Sequence, residues 1–238
     1  MSTTVEPVRY EIKLPCAPHV WPQIEAWVRL HPAHWRATYP SRQVNNVYFD
    51  TPDCRALNDN LSGAGDRSKL RLRWYGTPLH QVARARLELK RKEGMVGWKE
   101  ICPVDVSLDL AACSWDEAER CVYAAAGETA RLWMGRFPQP VLVNHYWRAY
   151  YATPDGEVRL TVDTRLCAYD QRASALPNLR RPAPIVDRVV VELKAPAERN
   201  AYRRLSDALA HFPLRPDRHS KYVNSMLAAP DFDGISSL

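Results

Sequence analysis

The chain has 238 residues, a formal charge of +6 and an isoelectric point near 9.0; hydrophobic residues make up 46% of it and charged residues 25%. That length holds one large domain or two small ones, and the composition excludes a disordered or fibrous chain. No apolar run approaches the ~18 residues of a membrane span, and the start, MSTTVEPVRYEIKL, lacks the charged opening and apolar middle of an export signal, so a cytoplasmic location is expected.

In chain order, VRYEIKL (8–14) alternates as a half-buried strand does. Trp21, Ile24, Trp27 and Val28 recur at helical spacing within 18–30, and HPAH (His31 to His34) reads as the end of that helix rather than a metal site, because Pro32 would disturb a helix there. VNNVYFD (44–50) is β-branched and aromatic and runs into the turn signal DTPD. A helix follows, with Thr51 or Asp53 as its N-cap, Asp50 as a further cap residue, and Leu57 and Leu61 on one side. SKLRLRWYG (68–76) is a strand that stops at Gly76 and Pro78. RARLELKRK (84–92) and GWKEICPVD (97–105) flank EGMVG, a hairpin turn. SWDEAERCVYAAAG (114–127) opens on the capping box Ser114–Glu117 and closes on Gly127. VLVNHYWRAYYAT (141–153) and EVRLTVDTRLCAYD (157–170) are strands on either side of PDG, a strong turn signal. The proline-rich stretch 171–187 is an exposed loop, and RVVVELKA (188–195) is the last strand. Helices at 198–212, with Tyr202, Leu205, Leu209 and Phe212 on one face, and near 219–228 complete the series. The six cysteines (16, 54, 102, 113, 121 and 167) form no CxxC pair and none has zinc-site spacing from a histidine, so they read as reduced, packed thiols. There is no repeat and no low-complexity tract. The expectation is a single domain over 1–238 of α+β class: an eight-stranded antiparallel β-barrel with helices packed on the outside.

The polar faces of these strands are charged in phase. Lys69, Arg71 and Arg73 lie opposite Leu70, Leu72 and Trp74; Arg9, Glu11 and Lys13 lie opposite Tyr10, Ile12 and Leu14. Arg86, Glu88 and Lys90 oppose Leu87 and Leu89; Arg159, Thr161 and Asp163 oppose Val158, Leu160 and Val162; Glu192 and Lys194 oppose Val189, Val191 and Leu193. Asn144, Tyr146, Arg148 and Tyr150 form another polar face. One such face is ordinarily wetted by solvent, but here it recurs in strand after strand. A small barrel normally packs apolar side chains inside. Turning it inside out reconciles the pattern: apolar faces point outward under the amphipathic helices, and charged faces line a hydrated tunnel with a polar, basic interior. About a dozen cations facing a few acids repel one another and call for an anion. The acids are too few to neutralise them but suffice for a divalent metal, so phosphate chains with Mg2+ or Mn2+ fit both demands.

Read in order, RLRWYG, ELK, GWKE, YWRAYY, VRLTVDT, VELK and SKY resemble the catalytic domain of the vacuolar transporter chaperone (VTC) family, the polyphosphate polymerases of the triphosphate tunnel metalloenzyme superfamily. The resemblance runs from Arg9 to about Leu227 and implies the same eight-stranded tunnel. It implies that Arg71, Arg73, Arg148 and Lys194 serve catalysis and that Lys13, Lys90, Lys99, Arg159 and Lys221 grip phosphates. Tyr146 is implied as a hydrogen-bonding tunnel tyrosine and Glu192 as the metal-binding acid. Lys69, sharing a face with Arg71, joins the phosphate-binding set, and Glu11 joins Glu192. The hydrolytic branch of the superfamily usually opens its first strand with ExExK; here Arg9 stands at the first acid, which removes a metal ligand and favours the polymerase branch. The implied reaction transfers the γ-phosphoryl of ATP to a growing polyphosphate chain with Mg2+ or Mn2+. The alternatives are a tripolyphosphatase or nucleoside triphosphatase of the same fold, and a non-catalytic polyphosphate-binding sensor. The expected partners are ATP, polyphosphate or tripolyphosphate, plus a membrane protein if polymer is exported. A nucleic-acid partner is not expected, since duplex binders normally display cations on loops or an exposed helix.

These residues also have plainer roles. Arg71 and Arg73 can pair with Glu88 and Glu11 as structural salt bridges. Glu192 can serve as an ion-pair partner, Lys221 as a surface lysine, and Asp163 as a turn residue or a supporting acid. Glu11 and Glu88 either assist the metal or balance Lys13 and Lys90. Arg203 and Arg204 are expected to be solvated, and His145 to pack on the outward face.

Overall fold

The computed structural model describes residues 3–229 except 95, 199 and 211. Its strands are β1 (Thr4–Cys16), β2 (Arg36–Asp50), β3 (Asp66–Tyr75), β4 (Gln81–Glu93), β5 (Val96–Asp109), β6 (Gln139–Ala152), β7 (Arg159–Asp170) and β8 (Val189–Pro196). All pair antiparallel and close into a barrel in the order β1-β5-β4-β3-β2-β6-β7-β8, with β8 returning to β1. The helices are α1 (Trp21–Leu30), α2 (Arg55–Leu61), α3 (Trp115–Ala125), α4 (Glu128–Arg136), α5 (Ala201–Ala208) and α6 (Lys221–Ala228). Among the described residues, no helix is long and apolar enough to cross a membrane, and all six cysteines are free.

The hydrophobic cores lie outside the ring. Leu70, Leu72, Trp74, Leu87 and Leu89 pack against Trp115, Ala118 and Val122 of α3 and Ala130, Trp133 and Met134 of α4. Leu14, Leu160, Val191 and Leu193 pack against Ile24 and Val28 of α1 and Leu205 of α5. A third cluster joins Leu57 of α2 to Val141, Leu142 and Ala168 and to Tyr222 and Met226 of α6. Each fully buried leucine contributes about 1.5–3 kcal/mol, so burial on the outward faces offsets the cost of a charged interior.

Asp50, at the end of β2, is fully buried. Its carboxylate accepts from the backbone N–H of Ala56 (2.8 Å) and Leu57 (3.1 Å) and from the Tyr222 hydroxyl (2.5 Å), tying β2, α2 and α6 together. The cap of α2 is therefore Asp50, helped by Thr51 Oγ1, which accepts from Arg55 N–H; Asp53 does not cap it. Leu61 is exposed and does not share the burial of Leu57. The Ser114–Glu117 capping box is present and α3 ends at Ala125, just before Gly127; Gly127 is also the N-cap of α4, a helix the periodicity missed. The 198–212 helix is shorter than expected, since α5 ends at Ala208. Arg204 is not free in solvent but pairs with Glu157. Gly156 (φ 75°) supplies the left-handed residue of the β6–β7 turn, its N–H bonding Thr153 O at 2.8 Å. In the expected EGMVG hairpin, Met95 lies outside the described residues.

Candidate anion-binding site

Strand alternation sends the charged set into the ring, and the register then places like charges face to face. Lys69 stands opposite Lys90 across β3–β4, and Lys90 opposite Lys99 across β4–β5. Arg73 stands opposite Arg86, and Arg42 opposite Arg148. Like charges directly opposite are destabilising, so this register has an energetic cost that ordinary strand pairing would avoid.

Three carboxylate centres offset part of it. The first is Glu88, fully buried and directly opposite Arg71. Its oxygens meet Arg71 at 2.6 Å, Arg86 at 2.8 Å, Lys99 at 3.3 Å and Arg73 at 3.5 Å. Burial pushes the Glu88 carboxyl up, but the four cations outweigh it and hold it well below the carboxylate range. Lys99 fares the opposite way: burial, with repulsion from Arg71, Arg73 and Arg86, outweighs Glu88 and lowers it to about 6. Arg71 also donates to the Tyr48 hydroxyl (3.2 Å), while Arg73 donates to Asn46 Oδ1 (2.8 Å) and the Tyr146 hydroxyl (3.1 Å). Arg71 and Arg73 thus both engage Glu88, as the salt-bridge reading allowed, but neither pairs with Glu11.

The second centre is the pair Glu11 and Glu192 on neighbouring strands. Lys13 Nζ bridges them, 3.1 Å from Glu11 and 3.8 Å from Glu192. Lys90 reaches Glu11 at 3.0 Å; Glu192 is met by Lys194 at 2.7 Å and by Arg148 at 3.8 Å. Burial and the facing carboxylate raise Glu11, yet Lys90 and Lys194 leave it lowered; Glu192 is held well below the usual range despite burial, by Lys194 foremost. Two carboxylates bridged by one ammonium are a donor set suited to a hard divalent cation, with phosphate oxygens completing the shell. Among the described residues no cluster of three or more His, Cys, Asp or Glu could hold a metal.

The third centre is Asp163, fully buried rather than a turn residue. Arg148 grips it through two bonds (2.5 and 2.7 Å) and Lys221 approaches to 2.5 Å. Against burial, these two cations lower it to about 2. Lys221 is accordingly no surface lysine: it enters the ring from the start of α6, 4.8 Å from the Tyr146 ring. The segment before it spans the same end. Lys13 Nζ donates to His219 O (2.9 Å), Asp217 N–H donates to Lys13 O (3.0 Å), and Lys69 Nζ donates to Ser220 Oγ (2.9 Å).

The structure therefore brings together Lys13, Lys69, Arg71, Arg73, Lys90, Lys99, Tyr146, Arg148, Lys194 and Lys221 with Glu11 and Glu192. Arg159 is apart: it is exposed at the start of β7, opposite Lys194, and forms no ion pair among the described residues. Lys69 is half-buried and has no ion pair among the described residues, and desolvation together with Lys13, Lys90, Arg67 and Arg71 pushes it well below the lysine range. Asn144 Nδ2, Thr161 Oγ1 and His219 Nε2 are buried without a hydrogen-bond partner among the described residues. Arg86, outside the expected site set, is a full member of the Glu88 centre; its place in the alternation Arg86–Glu88–Lys90 was the signal for it. His145 packs on the outward side against Tyr169 (ring centroids 6.1 Å apart).

Among solved structures, the PH1819 protein from Pyrococcus horikoshii OT3 is similar at 12% identity over 92% of this chain and 98% of that one, with a TM-score of 0.48. A chain of the Schizosaccharomyces pombe Mediator head module is similar at 8% identity over 88% and 97%, with a TM-score of 0.46. No curated protein matches. The model of the VTC domain matches residues 6–229. With nearly its whole length matched, this chain belongs to the VTC domain family, a family associated with polyphosphate.

Proposed function

We propose that the barrel interior is a tunnel for a polyphosphate chain or the triphosphate of ATP, and that the protein is a polyphosphate polymerase-like phosphotransferase. The observation that carries this reading is the row Lys69–Lys90–Lys99, three lysines directly opposite one another across three strands. Glu11 and Glu88 offset Lys90 and Lys99, whereas Lys69 has no ion pair among the described residues, so the row favours an added anion; the buried donor Asn144 Nδ2, without a hydrogen-bond partner among the described residues, is suited to the same ligand.

In the proposed reaction a terminal phosphate oxygen of the growing chain attacks the γ-phosphorus of ATP. A P–O bond forms as the bond to the β,γ-bridging oxygen breaks, and ADP leaves. Arg71, Arg73 and Arg148, held in position by Glu88 and Asp163, direct their remaining N–H groups and positive charge to phosphate oxygens. Lys13, Lys69, Lys90, Lys99, Lys194 and Lys221 add point charges that keep donor and acceptor in line, and Tyr146 donates from its hydroxyl. Arg159, at the rim, acts on the chain outside the reacting phosphates. Catalysis is then mostly positioning and charge stabilisation. Mg2+ or Mn2+ held by Glu192 and Glu11 would offset charge on the moving phosphoryl group.

Incubating the protein with ATP and Mn2+, then with tripolyphosphate and Mn2+, tests the reading. Polymer on a polyphosphate gel, lost in Arg71→Ala and Glu192→Gln, supports it. Phosphate release without polymer identifies a tripolyphosphatase, and tight polyphosphate binding without turnover identifies a sensor.

A further inference from the structure

We propose that the barrel rim formed by Tyr39, Arg42, Tyr75 and Tyr150 is a nucleobase-stacking site that makes the protein prefer a nucleoside triphosphate over an inorganic one. The inference rests on the reading of the interior as a triphosphate site and adds the part of the ligand that lies outside it.

The Arg42 guanidinium carbon lies 3.9 Å from the Tyr75 ring centre, 5.1 Å from Tyr150 and 5.9 Å from Tyr39. Its Nε donates to the Tyr150 hydroxyl at 3.2 Å, so the plane is fixed in position. Tyr39 stands edge-on to Tyr150, at 83° with centroids 5.7 Å apart. Yet the group is not buried: Arg42 is exposed and Tyr39 is 62% exposed. Arg42 forms no ion pair with a carboxylate among the described residues, so its neighbours are π faces rather than acids. Flat cations and tyrosines held rigid at the surface are the surfaces on which bases stack.

The cluster is continuous with the interior. Arg42 stands directly opposite Arg148, and Tyr150 is two residues along the same strand, a rise of about 7 Å. Tyr150 in turn faces Thr161, which faces Glu192. Tyr75 accepts from Arg86, which anchors on Glu88. A base on this rim therefore leaves a ribose-sized step to the phosphate-binding arginines. The strand β2 reaches the rim through register shifts between Ala37 and Tyr39 and between Tyr39 and Arg42. Such bulges re-aim side chains and are over-represented next to active sites. With the base at this end, the phosphates extend toward Lys69.

Titration calorimetry of the full chain with Mn2+ tests the proposal, using β,γ-imido-ATP and tripolyphosphate as the two probes. The wild type is expected to bind the nucleotide more tightly. Tyr39→Ala is expected to weaken nucleotide binding by roughly 5- to 150-fold, the range for one lost base stack, while tripolyphosphate affinity stays within about twofold. Retained tripolyphosphate binding also shows that the variant is folded. Arg42→Met, which keeps the stem and removes the plane, should likewise weaken the nucleotide more than tripolyphosphate. As a second readout, the fluorescence of 2-aminopurine riboside triphosphate should be quenched by the wild type and much less by Tyr39→Ala. Equal effects on both probes, or no effect on the nucleotide, overturn the base site. Wild type that binds tripolyphosphate at least as tightly as the nucleotide also overturns it while leaving the interior reading intact. Wild type that binds neither overturns the interior reading itself.

Discussion

Replacing Glu88 by glutamine keeps the shape of the side chain and removes the charge on which four basic side chains converge. Arg71 and Arg86 lie within 2.8 Å of its oxygens, and Lys99 and Arg73 within 3.5 Å. Removing one partner of a buried ion pair costs about 3–5 kcal/mol, mostly because the other charge is left uncompensated. With the Arg71, Arg73 and Arg86 guanidinium groups stranded, the upper part of that range is expected. At roughly 2–4 °C per kcal/mol for a chain of this size, a loss of about 4–5 kcal/mol lowers Tm by about 8–20 °C. If the interior binds anions, tripolyphosphate should return part of that loss. Saturating ligand stabilises the native state by about 2.7 kcal/mol at a hundred times its Kd, and the variant, with one more uncompensated charge, should gain more than the wild type. Urea unfolding and thermal melts with and without tripolyphosphate give both numbers. A variant within about 0.5 kcal/mol of wild type, as for an ordinary surface substitution, would refute the electrostatic reasoning. A loss that tripolyphosphate leaves unchanged would refute the anion site.

Other perturbations follow from the same charges. Lys99, lowered to about 6 by burial and the neighbouring guanidinium groups, is neutral at pH 8 in the free protein, and a phosphate beside it should restore its proton. Tripolyphosphate binding should therefore take up protons and tighten as pH falls from 9 to 7; calorimetric heats identical in buffers of different ionisation enthalpy would contradict this. Lys69→Met should melt above the wild type without ligand, because it removes a half-buried amine set among like charges, while binding tripolyphosphate at least about tenfold more weakly through loss of a charge-assisted hydrogen bond. A melt below wild type would argue that Lys69 is structural. Tyr222→Phe removes the hydroxyl bonded to Asp50 and should cost about 1.5–3 kcal/mol in urea unfolding, the range for a hydrogen bond to a charged group; no loss would show that α6 docks through its apolar face alone.

Seven strands were legible from the alternation or in-phase faces of their side chains and β2 only over 44–50 from its β-branched and aromatic residues, its first half Arg36–Gln43 being missed; the phase of β3 and β4 located Arg71, Glu88 and Lys90 inside the ring. What the alternation leaves open is which acid each cation meets. Glu88 rather than Glu11 became the centre for Arg71 and Arg73 because the β3–β4 register sets Arg71 opposite it, and register depends on pairing, not on one strand's pattern. Lys221 escapes strand phase because it arrives from a helix, and only its resemblance to the SKY motif pointed inward. The Tyr39–Arg42 rim was hidden because two register shifts and Pro40 interrupt the alternation of β2 there. The short helix α4 follows α3 after only Ala126 and Gly127, so the glycine that usually ends a helix masked the start of the next one.

The most direct test of the central claim is a crystal structure of the full chain grown with tripolyphosphate and Mn2+, with the metal located by its anomalous scattering. The account predicts phosphate oxygens in hydrogen-bond contact with Arg71, Arg73, Arg148 and the Lys69–Lys90–Lys99 row, and Mn2+ against Glu11 and Glu192. An anion found only on the outer surface, or a metal bound away from both glutamates, would contradict it.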